Sequence, residues 1–210
     1  METSSTQAAS VVPFGETVSL DEYVRAIESL SKGLITKQAI ADLVLRYRIR
    51  DEDLARHKSW NPTKHTRNLI FRNQMIELML ICWQAGAVTP LHTHNGQLGW
   101  MVVVEGTIRV ENYHMKRCNK PENQQVVGID CVAGATEIEM ELLNTETVTP
   151  WSALNTVDKT QTIHRIVNPP GNGPAVSLHI YSQPIDSCVV FDLEKQVCAR
   201  RDLSYDTKPE

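Results

Sequence analysis

Beyond Arg67 the chain reads as short apolar runs broken by turn residues. IELMLICW, WMVVVEG, TIRVENYH, QQVVGIDCV, TEIEMELL, HRIVN, AVSLHIYS and SCVVFDL follow one another, separated at NQ, PLHTHNG, KPENQ, PPGNGP and QP. Runs of this length bounded by Gly, Pro and Asn predict β-strands. Several of them without intervening helical patterns predict a sandwich or barrel.

Before Arg67 the period changes. Leu20, Tyr23, Val24, Ile27 and Leu30 mark one helical face behind a Ser19/Glu22 capping box, and this helix is expected to end near Gly33. Thr36 opens a second helix through Ile40, Leu43, Val44 and Tyr47, carried to about Arg48. Ala39 stands where a full capping box would place Glu or Gln. RIRDEDLARH, with its mixed charge, reads as a solvated third helix or turn. The expected organisation is a tail over 1–16 and then one mainly β domain over 17–210. In it, helices within 19–57 cap a β-barrel over 66–207.

A net charge of -4 gives no electrostatic case for nucleic acid or an anionic membrane, so the expected partner is a small molecule. No apolar stretch approaches the roughly 20 residues of a membrane span. METSSTQAASVVPFGE lacks the basic start of a signal peptide, and a cytoplasmic address is expected. Cys82, Cys118, Cys131, Cys188 and Cys198 are odd in number and form no C-x-x-C pair, against a disulfide framework or a zinc ribbon. Cys82 reads as a small buried hydrophobe. A monomer or weak homo-oligomer is the expected assembly.

The chemistry gathers around HTH at 92–94. On a strand, residues i and i+2 share a face, so His92 and His94 point together. A third histidine, His164, lies in TIHRIVN after a long loop. Imidazole is a common ligand for zinc, iron, copper and nickel, and three of these make a nitrogen cap with its other side open to substrate. Taken alone, the three also describe a catalytic zinc site or a metal-binding sensor. His57 and His114 sit among charged or polar neighbours and read as surface residues.

Gly86, His92, His94 and Gly106, followed by His164 and Asn168, resemble the two cupin motifs. That resemblance implies a double-stranded β-helix barrel with metal-binding histidines inside. Two departures narrow it: Gly99 stands where the first motif expects glutamate, and the second motif lacks P-x-G before its histidine. Three neutral ligands leave a divalent metal uncompensated and favour an anionic substrate. TRNLI, ELMLICW, HTH, HRIVN and AVSLHIYSQPIDSC together resemble the cysteine dioxygenase family of thiol dioxygenases.

The resemblance implies that His92, His94 and His164 bind iron(II), and that L-cysteine and dioxygen give cysteine sulfinate without a 2-oxoglutarate cosubstrate. It implies a Ser177-His179-Tyr181 hydrogen-bonded relay, with Trp83 packed near it, and Arg67 as the clamp on the substrate carboxylate. Arginine suits that task because its planar fork holds a carboxylate bidentately. His65 stands where a tyrosine is usual in the animal enzymes, which bears on preference between L-cysteine and 3-mercaptopropionate. Gly99 matches the position of the animal enzymes' crosslinking cysteine, so no thioether to Tyr181 is expected. Ser-Gln-Pro at 182–184 is a place for an unusual peptide bond, with the bond before Pro184 expected to be trans.

Overall fold

The computed structural model describes residues 15–31, 35–119, 137–157 and 163–209. Its elements in chain order begin with β1 (Glu16–Val18), α1 (Leu20–Ser31), α2 (Lys37–Arg46), β2 (Tyr47–Ile49) and α3 (Asp51–Ala55). Strands β3 (Thr66–Arg72), β4 (Glu77–Trp83), β5 (Leu91–His92), β6 (Leu98–Glu105) and β7 (Ile108–Cys118) follow. The chain continues through β8 (Ile138–Val148), β9 (Asn155–Val157), β10 (Ile163–Val167), β11 (Ala175–Ser182), β12 (Ser187–Asp192) and β13 (Val197–Asp202). No described helix is long and apolar enough to cross a membrane.

The strands form a six-stranded sheet, ordered β13-β12-β5-β10-β7-β8, and a five-stranded sheet, ordered β3-β4-β11-β6-β9. Together they make the expected cupin barrel. Met79, Ile81, Trp83, Met101, Val103 and Ile166 belong to one apolar cluster. Alternate residues of the same strands, Leu78, Leu80, Cys82, Val102 and Leu178, join a second cluster with Tyr23 and Ile27 of α1 and Ile40 and Val44 of α2. The five-stranded sheet is therefore covered on both faces, which is why β4 reads, after Glu77, as an unbroken apolar run rather than an alternating one. β8 has no such cover, and its middle is exposed.

Both helix starts are capped as their sequences require. Ser19 and Glu22 close a reciprocal box, the Ser19 backbone N–H donating to Glu22 Oε2 at 2.8 Å and the Glu22 N–H to Ser19 Oγ at 3.3 Å. Thr36 Oγ1 accepts from the Ala39 N–H at 3.0 Å. The second helix stops two residues short of the expected Arg48. Tyr47, Arg48 and Ile49 pair in parallel with Glu16, Thr17 and Val18, and the fully buried Ile49 takes up strand geometry there. Glu16, expected in the tail, is thus part of a strand.

Two further corrections concern strands. β5 is only Leu91–His92, so His94 lies beyond it; Asn95 and Gly96 turn into the left-handed region directly afterwards, with φ of 52° and 80°. β9 and β13 have no counterpart among the expected strands, the first being three residues long and the second carrying exposed Arg200 and Arg201. The expected strand QQVVGIDCV and Cys131 lie outside the described residues. The unusual peptide bond in Ser-Gln-Pro is the cis bond Ser182–Gln183, and the bond before Pro184 is trans.

Candidate metal centre

Strand pairing brings the three histidines together. His92 on β5 lies directly opposite His164 on β10, and His94, two residues past His92, lies beside both. Their ring centroids are 4.6 to 5.0 Å apart. One ligand nitrogen from each lies within 4.8 Å of the other two. His94 and His164 are buried.

The nitrogens are set up to accept a cation. His92 Nδ1 is 2.9 Å from the Pro90 carbonyl, which can only accept, so the ring donates from Nδ1 and leaves Nε2 with its lone pair. His164 Nε2 is buried without a hydrogen-bond partner, an uncommon state for a polar atom that a metal would relieve. Burial lowers the pKa of His92 and takes that of His164 well below its ordinary value, so both are neutral imidazoles, the form a metal binds. The donor set, three imidazoles with no carboxylate among the described residues, fits zinc, iron, copper or nickel.

The cluster opens into a cavity of about 300 Å³ that His65, Arg67, Trp83, His179 and Tyr181 also line. Ser177, His179 and Tyr181 alternate onto one face of β11. A chain of contacts joins them: Trp83 Nε1 donates to Ser177 Oγ at 2.8 Å, Ser177 Oγ meets His179 Nε2 at 2.8 Å, and His179 Nδ1 meets the Tyr181 hydroxyl at 3.3 Å. Its direction follows from the ends. The indole N–H can only donate, so the Ser177 hydroxyl passes its own hydrogen to Nε2, and His179 donates from Nδ1 to the Tyr181 oxygen. Burial pushes His179 down to about 3 and Tyr181 up to about 12. A neutral imidazole thus faces a protonated phenol.

Gly99 is paired with Tyr181 across β6 and β11. A Cβ there would lie 2.6 Å from Val157 Cγ2 and 2.9 Å from Tyr181 Cε1. Position 99 therefore abuts the tyrosine ring edge, and glycine brings no sulfur to it.

Arg67 reaches the cavity from β3. Its Nη2 donates to Glu77 Oε1 and its Nη1 to the Ser204 carbonyl, both at 3.5 Å, and its Cζ stands 5.3 Å from the centre of the Tyr205 ring. A strap after β13 holds the backbone here: Arg67 N–H donates to Asp206 Oδ2 at 2.9 Å, and Asp206 N–H to the Arg67 carbonyl at 2.8 Å. His65 packs against Trp83 with ring centroids 5.0 Å apart. Burial, with His92 and Arg67 nearby, lowers its pKa to about 4. His57 and the exposed His114 do not line the cavity.

Sequence reasoning missed Glu77, Tyr205 and Asp206. Glu77 left a signal, a lone acid opening an otherwise apolar run, since a carboxylate buried in a strand needs partners. The strap left none, because its contacts are to residues far back in the chain.

The profile of the family described as "Cysteine dioxygenase type I" matches residues 11–194. The chain is similar to "Cysteine dioxygenase type 1" of Homo sapiens, 23% identical over 175 residues that cover 82% of this chain and 78% of that one. It is 23% identical over 180 residues to "Cysteine dioxygenase type 1" of Danio rerio, covering 82% and 79%. Among solved structures it is similar to TT1209 from Thermus thermophilus, with a TM-score of 0.43 and 17% identity over 63% of this chain and 96% of that one. A cupin 2 domain-containing protein from Halorhodospira halophila gives a TM-score of 0.40 and 15% identity over 65% and 77%.

Proposed function

The chain belongs to the cysteine dioxygenase type I family, and on that premise we propose that it oxidises L-cysteine with dioxygen to cysteine sulfinate, at an iron(II) held by His92, His94 and His164. The observation that carries the reading is the pairing, in one cavity, of three clustered imidazoles and a guanidinium fork. A thiol at the histidines and a carboxylate at Arg67 are the two ends of one small substrate. Bound iron(II) would supply the redox chemistry that lets dioxygen react with a thiolate, and three neutral ligands leave its charge for an anionic sulfur to offset. The reaction balances without a second cosubstrate. Both oxygen atoms end on sulfur, the S–H bond is lost, and its proton passes to solvent.

The chain's own residues orient and shield. Arg67 takes the carboxylate bidentately and fixes the substrate's pose. Tyr181, protonated and free of any crosslink, donates its hydroxyl hydrogen into the cavity toward the oxygen being transferred, and His179 holds that hydroxyl in place with Ser177 and Trp83 behind it. His65 lines the end beside Arg67 and bears on substrate length and shape. A cytoplasmic setting suits Cys82 and Cys188, both buried free thiols.

The test is anaerobic loading with iron(II), addition of L-cysteine, and admission of air. One dioxygen consumed per sulfinate formed is expected, and absence of uptake sinks the reading. Faster turnover of 3-mercaptopropionate moves the substrate assignment to that thiol. Replacing Arg67 with alanine should raise KM for L-cysteine by about 10- to 100-fold, the worth of a lost charge-assisted pair, while cysteamine, which has no carboxylate, is little affected.

A further inference from the structure

We propose that Glu77 is a positioning residue for the carboxylate clamp: with Tyr205 it holds the Arg67 guanidinium at the cavity without using up its donors, and so sets affinity for carboxylate-bearing thiols. This rests on the reading of Arg67 as the clamp.

Glu77 is completely buried, which a glutamate tolerates only with partners. Its two oxygens divide the work. Oε1 accepts from Arg67 Nη2 at 3.5 Å, while Oε2 accepts from Arg72 Nη1 at 3.3 Å and from the Tyr205 hydroxyl at 2.6 Å. Arg72 is well satisfied elsewhere, since it pairs bidentately with Asp186 at 2.8 and 2.9 Å and donates to the Tyr205 oxygen at 2.5 Å.

Arg67 is different. Both contacts of its guanidinium lie at 3.5 Å, well beyond the roughly 2.7–2.9 Å of a tight charge-assisted bond. Its side chain is nonetheless only 11% exposed. A fork with five N–H donors, enclosed but loosely held, has donors left for an incoming carboxylate. Tyr205 completes the arrangement from the strap, its ring within 5.3 Å of Arg67 Cζ and 5.9 Å of Arg72 Cζ. Were Glu77 neutral, the two guanidiniums would share this enclosed space with no anion between them, and Arg67 would turn away from the cavity.

The test compares L-cysteine with cysteamine, by anaerobic calorimetric titration of the iron(II)-loaded protein and by KM and kcat. Glu77→Gln keeps the shape and removes the charge. Its affinity for L-cysteine should fall about tenfold, appearing in KM rather than kcat, with cysteamine unchanged. Equal loss for both thiols, or no loss for either, overturns the proposal. Tyr205→Phe keeps the ring and removes only the hydroxyl that anchors Glu77; about a threefold loss confined to L-cysteine is expected. Should circular dichroism show Glu77→Gln unfolded, Tyr205→Phe decides alone, and no loss or an equal loss overturns the proposal. If the unaltered protein binds neither thiol, the reading of Arg67 falls and the role of Glu77 with it.

Discussion

At Tyr181, the contact with position 99 determines what the hydroxyl is free to do. The ring edge lies against the glycine backbone, and the oxygen, held by His179, keeps its hydrogen for the cavity. Tyr181→Phe removes that hydrogen and leaves the ring. Dioxygen uptake with saturating L-cysteine should slow by about 10- to 100-fold, the worth of one hydrogen bond to a charged group, with KM near its original value; an unchanged rate would remove Tyr181 from the chemistry. The relay was legible because a strand puts residues 177, 179 and 181 on one face whatever else surrounds it. His94 lies beyond the end of β5, yet its ring centroid still comes within 4.6 Å of that of His164. The two-residue spacing named a pair that the structure brings together, although only His92 stands in the β5 ladder.

Between elements, a charged cluster on the six-stranded sheet joins β7 to β10. Glu111 lies opposite Arg165 in the ladder and accepts from it at 2.8 and 2.5 Å. Burial pushes the Glu111 carboxyl up, but Arg165, Arg109 and Tyr113 outweigh it and hold the carboxyl below its ordinary range. A depressed carboxylate contributes stability that is present above its unfolded value, near about 4.3, and is lost as pH falls through the folded one. Glu111→Gln should therefore cost about 1 kcal/mol at pH 7, a modest figure because Arg165 is more than a third exposed. Urea unfolding at falling pH should show the gap between variant and parent closing through the acid range, and a constant gap would refute the assignment. At this scale, the helix starts and the doubly covered strands were readable from capping residues and apolar runs. β13 was not, because its outward arginines break the apolar pattern, and Tyr47 looked helical because its spacing fits either period until β1 claims its backbone.

For the whole molecule, the cavity's histidines couple ligand binding to stability. A metal that binds only the folded chain, at a hundredfold excess over its Kd, adds about 2.7 kcal/mol, and for a chain of this size that raises Tm by roughly 5–10 °C. Iron(II) added anaerobically to chelator-treated protein should give this shift, and His164→Ala should abolish it; an equal shift in the variant would place the metal elsewhere. The strap has a consequence of another kind. Arg67 draws its backbone partner, Asp206, from 139 residues further along the chain. At about 5–20 residues per second, a ribosome needs roughly 7 to 28 s to make the intervening stretch. For that interval, with Arg67 already made, His92, His94, His164 and then Ser177, His179 and Tyr181 follow in turn while the strap that holds the Arg67 backbone does not yet exist. The nascent chain can therefore carry all three clustered histidines while the strap that pairs with the Arg67 backbone has yet to be made.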